Sequence, residues 1–391
     1  MMQLLRLFLS QSWKVIFASP AQETDHMVDL EAMGARKEHI QLNDASFDVF
    51  VAALQPTIVL FDRFMMEEQF GWRVAAHCPN ALRILDTEDL HCLRKTRQEA
   101  FTSGKQFNIE DLFKSDIAKR EIASIYRCDL SLIISEFEMQ LLKEHFKISE
   151  SLLYYLPFML KPMTINDSSK LLSFEQRKHF VTIGNFRHEP NWNAVLYLKE
   201  TIWPLIKKQL PKAELHIYGA YPPPKAMQLN DPTEGFLIKG WASDADDVMQ
   251  RSRICLAPLR FGAGLKGKLV TAMKNGTPVV TTTIGAEGIY GDLPYNGEVE
   301  DDALIFANKA VALYQNETLW LQCQKNGIQV LNQRFNGPEL QACFIDRVKV
   351  PLNDLSAHRD ANFIGSLLQH QTMQSTKYMS KWIEAKNKLE K

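Results

Sequence analysis

The sequence contains no closely spaced cysteine pair of the kind that binds zinc. None of the cysteines among its 391 residues forms a C-x-x-C motif or lies at zinc-ligand spacing from a histidine; they are Cys78, Cys92, Cys128, Cys255, Cys323 and Cys343. Scattered cysteines of this kind predict buried free thiols in a reducing compartment. We therefore expect a cytoplasmic protein without a structural metal.

Long hydrophobic runs and an excess of charge of either sign are also absent. Apolar residues make up 46% and charged residues 23% of the chain, and 45 lysines and arginines nearly balance 46 aspartates and glutamates. This balance is typical of a soluble globular protein and gives no support for binding nucleic acid. No stretch approaches the roughly 18 uninterrupted apolar residues of a membrane span, so only a peripheral contact with a membrane stays open.

Two nucleotide-binding motifs are missing as well. Neither half of the chain has G-x-G-x-x-G after its first strand, and no G-x-x-x-x-G-K-[ST] occurs. A nicotinamide-dependent oxidoreductase and a P-loop enzyme therefore lose their strongest support. The oxidoreductase stays a distant third alternative.

What the sequence does contain is a regular alternation of short apolar runs and helical patterns. Strand-like runs lie at 13–19, 39–42, 57–62, 82–88, 130–135 and 152–157, and then at 179–186, 213–220, 235–241, 254–259 and 277–283. Continuously apolar runs predict strands that are buried on both faces, hence parallel sheets covered by helices. Two such series in tandem predict two doubly wound α/β domains.

Changes in composition indicate the domain boundaries. An amphipathic helix, Met2–Ser10, opens an N-terminal domain of residues 1–160, and the polar segment 161–178 predicts a linker. A second domain is expected over 179–335. In the tail, 336–391, the strand signals stop, and apolar residues at helical spacing predict a helix docked by one face; they are Ile364, Leu367, Leu368, Met379, Trp382 and Ile383.

Three glycine-containing turns follow strands of the second domain, and loops at the carboxyl ends of parallel strands are where such sheets bind ligands. In the second turn, "RFGAGLKGKLVTAMKNG" (260–276), two lysines accompany the start of a helix. Glycines let the backbone approach a ligand closely, and the N–H groups of a helix N-terminus suit an anion such as a diphosphate. The candidate residues are Gly184, Asn185 and Arg187, then Gly262, Gly264, Lys266, Gly267 and Lys268, and finally Gly285 and Glu287.

An ordinary structural role is the alternative for each turn taken alone, because glycines after a strand are commonly turn formers. Lysines in the first turn of a helix are disfavoured by the helix dipole, which argues against a role as solvent-exposed surface residues only. Three such turns at one end of one predicted sheet favour a ligand site.

The same residues carry a family resemblance. Residues 179–335, with "FVTIGNFRHEPNWNAVLYLKE", "GFLIKGW" and "ICLAPLRFGAGLKGKLVTAMKNGTPVVTTTIGAEGI" in unbroken order, resemble the C-terminal domain of family 4 glycosyltransferases of the GT-B fold. The first 160 residues are similar in layout but more diffuse, and "ILDTEDLHCLRKTR" (84–97) is their most family-like piece.

The resemblance implies a fold and an activity. Such enzymes have two Rossmann-like domains that face each other across a cleft, with C-terminal helices that cross back to the first domain. They transfer a sugar from a nucleotide-diphosphate sugar to a glycan, lipid-linked or other acceptor, with retention and without a metal or another cofactor. A hexosyltransferase-like enzyme of polysaccharide biosynthesis is therefore expected.

The resemblance also implies roles for individual residues. Arg187 and Lys266, with Lys268 beside them, match positions that bind the donor diphosphate and stabilise the charge on the leaving group. Glu287 is a weaker candidate for binding hydroxyl groups of the donor. His91 is a candidate catalytic residue on the acceptor side, although a capped helix with a satisfied histidine explains it about as well.

Two departures from the family pattern predict weakened activity. Family members usually have a glutamate that grips the donor ribose where this chain has Thr271, and a hydroxyl makes a weaker contact. The family also begins with a strand and a glycine-rich loop before the first helix, whereas this chain starts in that helix at Met1. A catalytically inactive protein that binds a nucleotide-sugar or a partner is therefore the second hypothesis.

Overall fold

A computed structural model describes residues 1–23 and 27–389, and the side chains of these except 371–374. Up to residue 160 the elements are α1 (Met2–Ser10), β1 (Ile16–Ser19), β2 (Arg36–His39), α2 (Ser46–Leu54), β3 (Ile58–Asp62), α3 (Phe64–His77), β4 (Leu82–Asp86), α4 (His91–Thr102), α5 (Glu110–Lys114), α6 (Asp116–Arg127), β5 (Leu130–Ile133), α7 (Glu136–Glu144) and β6 (Leu153–Tyr155). The predicted first helix is confirmed.

The remaining elements continue the alternation of strands and helices. They are α8 (Ile165–Ser168), β7 (Lys178–Ile183), α9 (Glu189–Tyr197), α10 (Trp203–Gln209), β8 (Leu215–Tyr218), α11 (Pro224–Met227), β9 (Phe236–Gly240), α12 (Ala245–Arg251), β10 (Ser252–Ala257), α13 (Gly267–Lys274), β11 (Val279–Thr281), α14 (Thr283–Ala286), β12 (Gly297–Val299), α15 (Ala303–Gln315), α16 (Glu317–Arg334), α17 (Gly337–Asn353), α18 (Leu355–Asp360) and α19 (Phe363–Leu389). A π-helical turn, Leu198–Ile202, joins α9 to α10.

The chain forms two compact units that interleave in sequence. Unit 1 consists of residues 1–92, 112–159 and 339–391, and unit 2 of residues 93–111 and 160–338. None of the described helices is long and apolar enough to cross a membrane.

Unit 2 is built on a six-stranded sheet in the order β12-β11-β10-β7-β8-β9, and its strand pairs are parallel. The chain runs from β7 outward to β9, and then returns to the other side of β7 with β10 and runs outward to β12. The order therefore reverses between β7 and β10, which is the position where open parallel sheets bind ligands.

The core of unit 2 explains why these strands are continuously apolar. Phe180, Leu215, Ile254 and Val280, from four neighbouring strands, are fully buried, and Trp203 packs with them from the helical layer. Nearly every residue of β10 and β11 is buried, as expected for central strands of a parallel sheet, whereas β8 and β9 alternate between buried and less buried residues. The predicted parallel α/β architecture is confirmed.

Unit 1 contains a four-stranded parallel sheet in the order β3-β4-β5-β6 and a separate parallel pair, β1-β2. All five residues of β4 are buried. Leu4 and Leu7 of α1 share one core with Phe344 and Val348 of α17. This apolar face accounts for the amphipathic pattern of the first helix.

Two strands differ from the sequence-based prediction. The second strand is Arg36–His39, whereas the prediction was 39–42, and β12 was not predicted. Both are short strands at the edge of a sheet. The composition of β2 is wholly polar, "RKEH", so the apolar residues that follow it gave the stronger signal.

The long tail helix α19 contradicts the expected docking face. It packs on α3 and α6, but Ile364, Leu367, Met379 and Trp382 are exposed, and only Leu368 and Ile383 of the predicted stripe are half-buried. The prediction that the apolar stripe faces the protein is therefore wrong. Small and polar residues form the docking face instead, as described below.

Arg177, a residue of unit 2, forms hydrogen bonds with the turn that follows α13. Its side chain is fully buried, and it donates to the Leu172 carbonyl (3.0 Å), the Thr277 hydroxyl (2.8 Å) and the Asn275 carbonyl (2.7 Å). Burial lowers the pKa of Arg177 to about 10. The guanidinium thus fixes the turn through which α13 returns to the sheet.

We expect Arg177→Met to lower the free energy of unfolding by about 2–4 kcal/mol, because it leaves buried acceptors without a donor. Arg251 is a matched control, since its side chain is 73% exposed and pairs with Asp247 one helical turn away. Arg251→Met should change stability by less than about 0.5 kcal/mol. Thermal and denaturant unfolding measure both, and equal stability of the two variants would contradict this role of Arg177.

Candidate functional site

Three loops leave adjacent strands of unit 2 at the carboxyl edge of its sheet. We call them the β7 loop (184–188), the β10 loop (258–266) and the β11 loop (282–288). Their strands pair side by side, since Cys255 of β10 is opposite both Val181 of β7 and Val279 of β11. The three predicted turns therefore meet at the point where the strand order reverses.

The β7 loop presents an arginine to solvent. A Cβ at Gly184 would lie 2.6 Å from the side chain of Asn191, so a larger residue there would displace the Asn191 amide. The Asn185 side-chain oxygen accepts the Arg187 backbone N–H at 2.8 Å. The exposed Arg187 guanidinium lies 4.2 Å from the ring centroid of Tyr221, a stacking that restrains the side chain and leaves its donor edge accessible.

The β10 loop leads into α13 through a buried lysine. Gly264 has φ +63°, a left-handed conformation that favours glycine. Lys266 is the N-cap residue of α13 and is 7% exposed, and its ammonium group donates to the Gly264 carbonyl at 2.8 Å. Gly267 is the first helical residue and is exposed. A positive charge is thus held beside the free N–H groups of a helix start.

Lys268, in the first turn of α13, connects the helix that follows the β10 loop to the β7 loop. Its ammonium group donates to the Asn191 side-chain oxygen at 2.9 Å, and the Asn191 amide nitrogen donates to the Asn185 carbonyl at 3.2 Å. Burial lowers the pKa of Lys268 to about 8. Burial also raises the pKa of the neighbouring Cys255 to about 12, so this thiol stays neutral and cannot neutralise the ammonium group.

The β11 loop is tied to the β10 loop by Arg97. Its guanidinium forms two hydrogen bonds with the Glu287 carboxylate, at 2.7 and 2.8 Å, and a third with the Gly262 carbonyl at 2.9 Å. The Arg97 side chain is 6% exposed. Two-pronged pairing of this kind fixes both partners. Glu287, a candidate for binding hydroxyl groups of the nucleotide-sugar, therefore also binds Arg97.

Two other candidates lie near these groups along the chain. A Cβ at Gly285 would lie 1.9 Å from the Thr281 hydroxyl oxygen, so the β11 loop packs too closely on its strand for any side chain there. Thr271 is half-buried in α13, and its carbonyl accepts the backbone N–H of Asn275 at 3.1 Å.

Asn191 and Arg97 are the site residues that the sequence analysis missed. Asn191 belongs to the Pro-Asn pair that opens α9, and a short amide next to a glycine-ended strand is a usable signal for a loop bridge. Arg97 lies in the family-like segment 84–97, but its partners follow it by 165 and 190 residues. No local pattern indicates contacts over that separation.

His91 lies in unit 1, where it is the first residue of α4. Its Nε2 atom is 3.4 Å from a carboxylate oxygen of Asp89, and its ring meets Phe64 edge-on at 5.6 Å. The backbone N–H groups of His91 and Cys92 donate to the Glu121 carboxylate, at 3.0 and 2.8 Å, so a buried acid caps the start of α4. Burial raises the pKa of Glu121 to about 7.

One group of described residues has the composition of a cation site. His179 Nδ1 and His216 Nε2 lie 3.3 and 2.8 Å from the same carboxylate oxygen of Glu214. The pKa values of both histidines are lowered, first by burial and also by the nearby charge of Lys239. The group lies towards the amino-terminal ends of β7 and β8, at the sheet edge opposite the three loops, and its hydrogen bonds account for its geometry.

The three loops can therefore bind an anion. Together with the first turn of α13, they supply an exposed guanidinium, two restrained ammonium groups and the N–H groups of a helix start. The ammonium groups of Lys266 and Lys268 each donate to a neutral oxygen, and a phosphate would add an acceptor that is itself ionised and therefore stronger. This arrangement suits a diphosphate whose charge grows during a reaction.

Residues 177–316 match the family model described as "Glycosyl transferases group 1". This segment contains all three loops. No curated protein matches the chain.

Solved structures resemble the chain over most of its length. A glycosyltransferase from Rickettsia africae superposes with a TM-score of 0.65 at 13% identity, covering 90% of this chain and 94% of that one. HepE from Anabaena, in complex with UDP and glucose, superposes with a TM-score of 0.64 at 11% identity, covering 89% and 95%.

A TarM variant from S. aureus, crystallised with UDP and other ligands, is also similar. It superposes with a TM-score of 0.58 at 14% identity and covers 77% of this chain, and this chain spans 58% of the length of TarM. Identities this low show a shared fold and no more. The chain thus has the GT-B fold, and its residues 177–316 match the group 1 glycosyl transferases.

Proposed function

We propose that the protein is a glycosyltransferase of the family 4 type that moves a sugar from a nucleotide-diphosphate sugar to an acceptor with retention. The observation that carries the proposal is the joining of three loops, through Asn191 and Arg97, into one cationic cradle at the point where the strand order reverses. The acceptor is a glycan, a lipid-linked sugar or a related molecule, in the synthesis of a cell-surface or secreted glycan in the cytoplasm.

The chemistry assigns each cation a task. As the bond between the sugar and the diphosphate breaks, negative charge grows on the leaving nucleoside diphosphate. Donors placed in advance at that position stabilise the transition state by about 3–4 kcal/mol each. Arg187, Lys266 and Lys268 supply this charge, and in this proposal no metal ion takes part.

The remaining candidates position the donor or act on the acceptor. Gly262 and Gly264 let the backbone approach the diphosphate, and Arg97 holds Gly262 and Glu287 in place. While paired with Arg97, the Glu287 carboxylate still has lone pairs that can accept hydrogen bonds from hydroxyl groups of the nucleotide-sugar. His91 is proposed to act on the acceptor side.

A second function is favoured by Thr271. The related enzymes usually have a glutamate at this position of the helix, which binds the donor ribose. A threonine hydroxyl forms a weaker bond than a carboxylate. A catalytically inactive protein that binds a nucleotide-sugar or a partner is consistent with this substitution.

Arg187→Ala and Lys266→Ala should each lower the rate of sugar transfer by about 100- to 1,000-fold, corresponding to the loss of one charged donor. Release of UDP, GDP or dTDP from a panel of nucleotide-sugars measures this rate, and nucleotide-induced thermal shifts measure binding. Lys161→Ala is the control, because the Lys161 side chain is 84% exposed and lies outside the three loops.

Three outcomes are distinct in this experiment. Turnover that is lost in both site variants and kept in the control supports a transferase. A thermal shift without transfer or hydrolysis by the unmodified chain identifies the inactive, binding protein. Full turnover in both site variants would remove the proposed cradle.

Nucleotide binding should also take up protons near pH 8. With a pKa of about 8, about half of Lys268 is neutral at that pH in the free protein, and a bound diphosphate raises the pKa by favouring the charged form. Affinity should therefore fall as the pH rises above 8, by up to about tenfold per pH unit. Titration calorimetry with UDP in two buffers of different ionisation enthalpy measures the uptake, and Lys268→Met should abolish it. Equal apparent enthalpies in both buffers would contradict this assignment.

A further inference from the structure

The exposed side of α19 carries a row of large apolar side chains, which we call the outer face. Their exposed fractions range from 49% for Ile364 and Leu367 to 88% for Leu389. At 3.6 residues per turn they fall within a sector of about 160° around the helix. The outer face consists of Phe363, Ile364, Leu367, Tyr378, Met379, Trp382 and Leu389.

The orientation of α19 is fixed by its opposite side. A Cβ at Gly365 would lie 2.2 Å from the Tyr126 carbonyl, so the helix approaches α6 more closely than any side chain there allows. Asn362 donates to that same carbonyl at 2.8 Å, and Gln369 donates to the Arg127 carbonyl at 3.0 Å. Ser380 is buried and donates to Asn43 at 2.6 Å.

The C-terminal half is held by an ion pair. Glu384 binds Arg73, whose side chain is only 1% exposed. These contacts are spread over more than 20 residues of one helix side. The outer face therefore cannot turn inward without breaking all of them.

The outer face is bordered by positive charge. Between residues 363 and 389 the sequence has four lysines, Lys377, Lys381, Lys386 and Lys388, and a single acidic residue, Glu384, which is paired with Arg73. Lys381, Lys386 and Lys388 are exposed, and Lys377 is half-buried. The helix thus presents tryptophan, tyrosine and aliphatic side chains between ammonium groups.

We propose that the outer face of α19 binds the surface of an anionic lipid bilayer. Apolar side chains of a helix lying on a membrane enter the boundary between headgroups and acyl chains, while tryptophan and tyrosine keep their polar atoms at the headgroups. Lysines beside such a face extend their stems over it and place their charges near lipid phosphates. A second copy of the chain would instead place its lysines against these lysines, which repel each other.

Lipid binding by this face is independent of the proposed sugar transfer, since it requires no residue of the three loops. It is measured with the full chain and no nucleotide. Co-sedimentation with vesicles of phosphatidylcholine containing about one-third phosphatidylglycerol is compared with vesicles of phosphatidylcholine alone. We expect binding to the anionic vesicles, at least tenfold weaker binding to the neutral ones, and weakening by salt.

Two sets of variants separate the apolar and electrostatic contributions. The triple variant Tyr378→Gln, Met379→Gln, Trp382→Gln and the double variant Lys381→Gln, Lys388→Gln should each weaken binding to anionic vesicles by at least tenfold. Matched controls lie elsewhere on the surface, because Trp241 is 52% and Ile165 is 91% exposed. Trp241→Gln with Ile165→Gln, and Lys161→Gln for charge, should leave binding unchanged.

Folding is checked by thermal melting, which exposed substitutions should hardly change. Unchanged vesicle binding by the triple variant would overturn the proposal, as would the absence of binding by the unmodified chain. Analytical ultracentrifugation of the protein without vesicles tests the remaining alternative, that the outer face binds a second copy of the chain. A dimer that the triple variant converts to a monomer, without vesicle binding, would assign the outer face to a second copy of the chain.

Discussion

The reversal of strand order between β7 and β10 is the constraint on which the candidate site depends. Parallel strands end at the same edge of a sheet, so the loops after β7, β10 and β11 are forced into proximity at the centre of unit 2. Proximity alone would leave three independent loops. Two side chains make them one assembly, since Asn191 joins the β7 loop to Lys268 and Arg97 joins the β10 loop to the β11 loop. Gly184 and Gly285 lie where a neighbouring side chain approaches the backbone, whereas Gly264 has a left-handed conformation.

The cradle places several positive charges close to the start of α13. Lys266 and Lys268 lie at the positive end of a helix, where the dipole repels them, and burial lowers the pKa of Lys268. Burial keeps the neighbouring Cys255 thiol protonated, so it does not compensate the charge of Lys268. The Glu287 carboxylate pairs with Arg97, and the Asp301 carboxylate accepts from Thr283 of the β11 loop. Positive charges held in this environment are consistent with the proposed diphosphate ligand, which brings its own negative charge.

The sequence was a good guide to the sheets because the signal there is local. Continuous apolar runs predicted five of the six strands of unit 2, and the edge strand β12 was missed. That the glycine-containing loops after these strands bind a ligand stays a prediction. Predictions failed where the deciding contact is distant. Arg97 belongs to the first half of the chain, yet residues 93–111 pack into unit 2, so no spacing indicates its pairing with Glu287. The strand β2 was displaced because its four polar residues carry no burial pattern. Periodicity identified the apolar residues of α19, but it could not predict which side of the helix packs against the rest of unit 1.

That last failure has a physical reason. A hydrophobic stripe predicts the buried face of a helix only when burial of apolar area is the main source of docking energy. Helix α19 docks in another way, by the close approach that Gly365 permits, by side-chain amides on helix-end carbonyls and by the buried pair of Arg73 and Glu384. These contacts need polar and small residues, so they occupy one side and leave the apolar side chains on the other. A helix that was docked by its stripe would lose the stripe as a binding surface. Docking through polar residues keeps the helix attached to unit 1 and leaves its apolar surface exposed. It also holds the apolar side chains and the lysines beside them pointing outward before any partner is present.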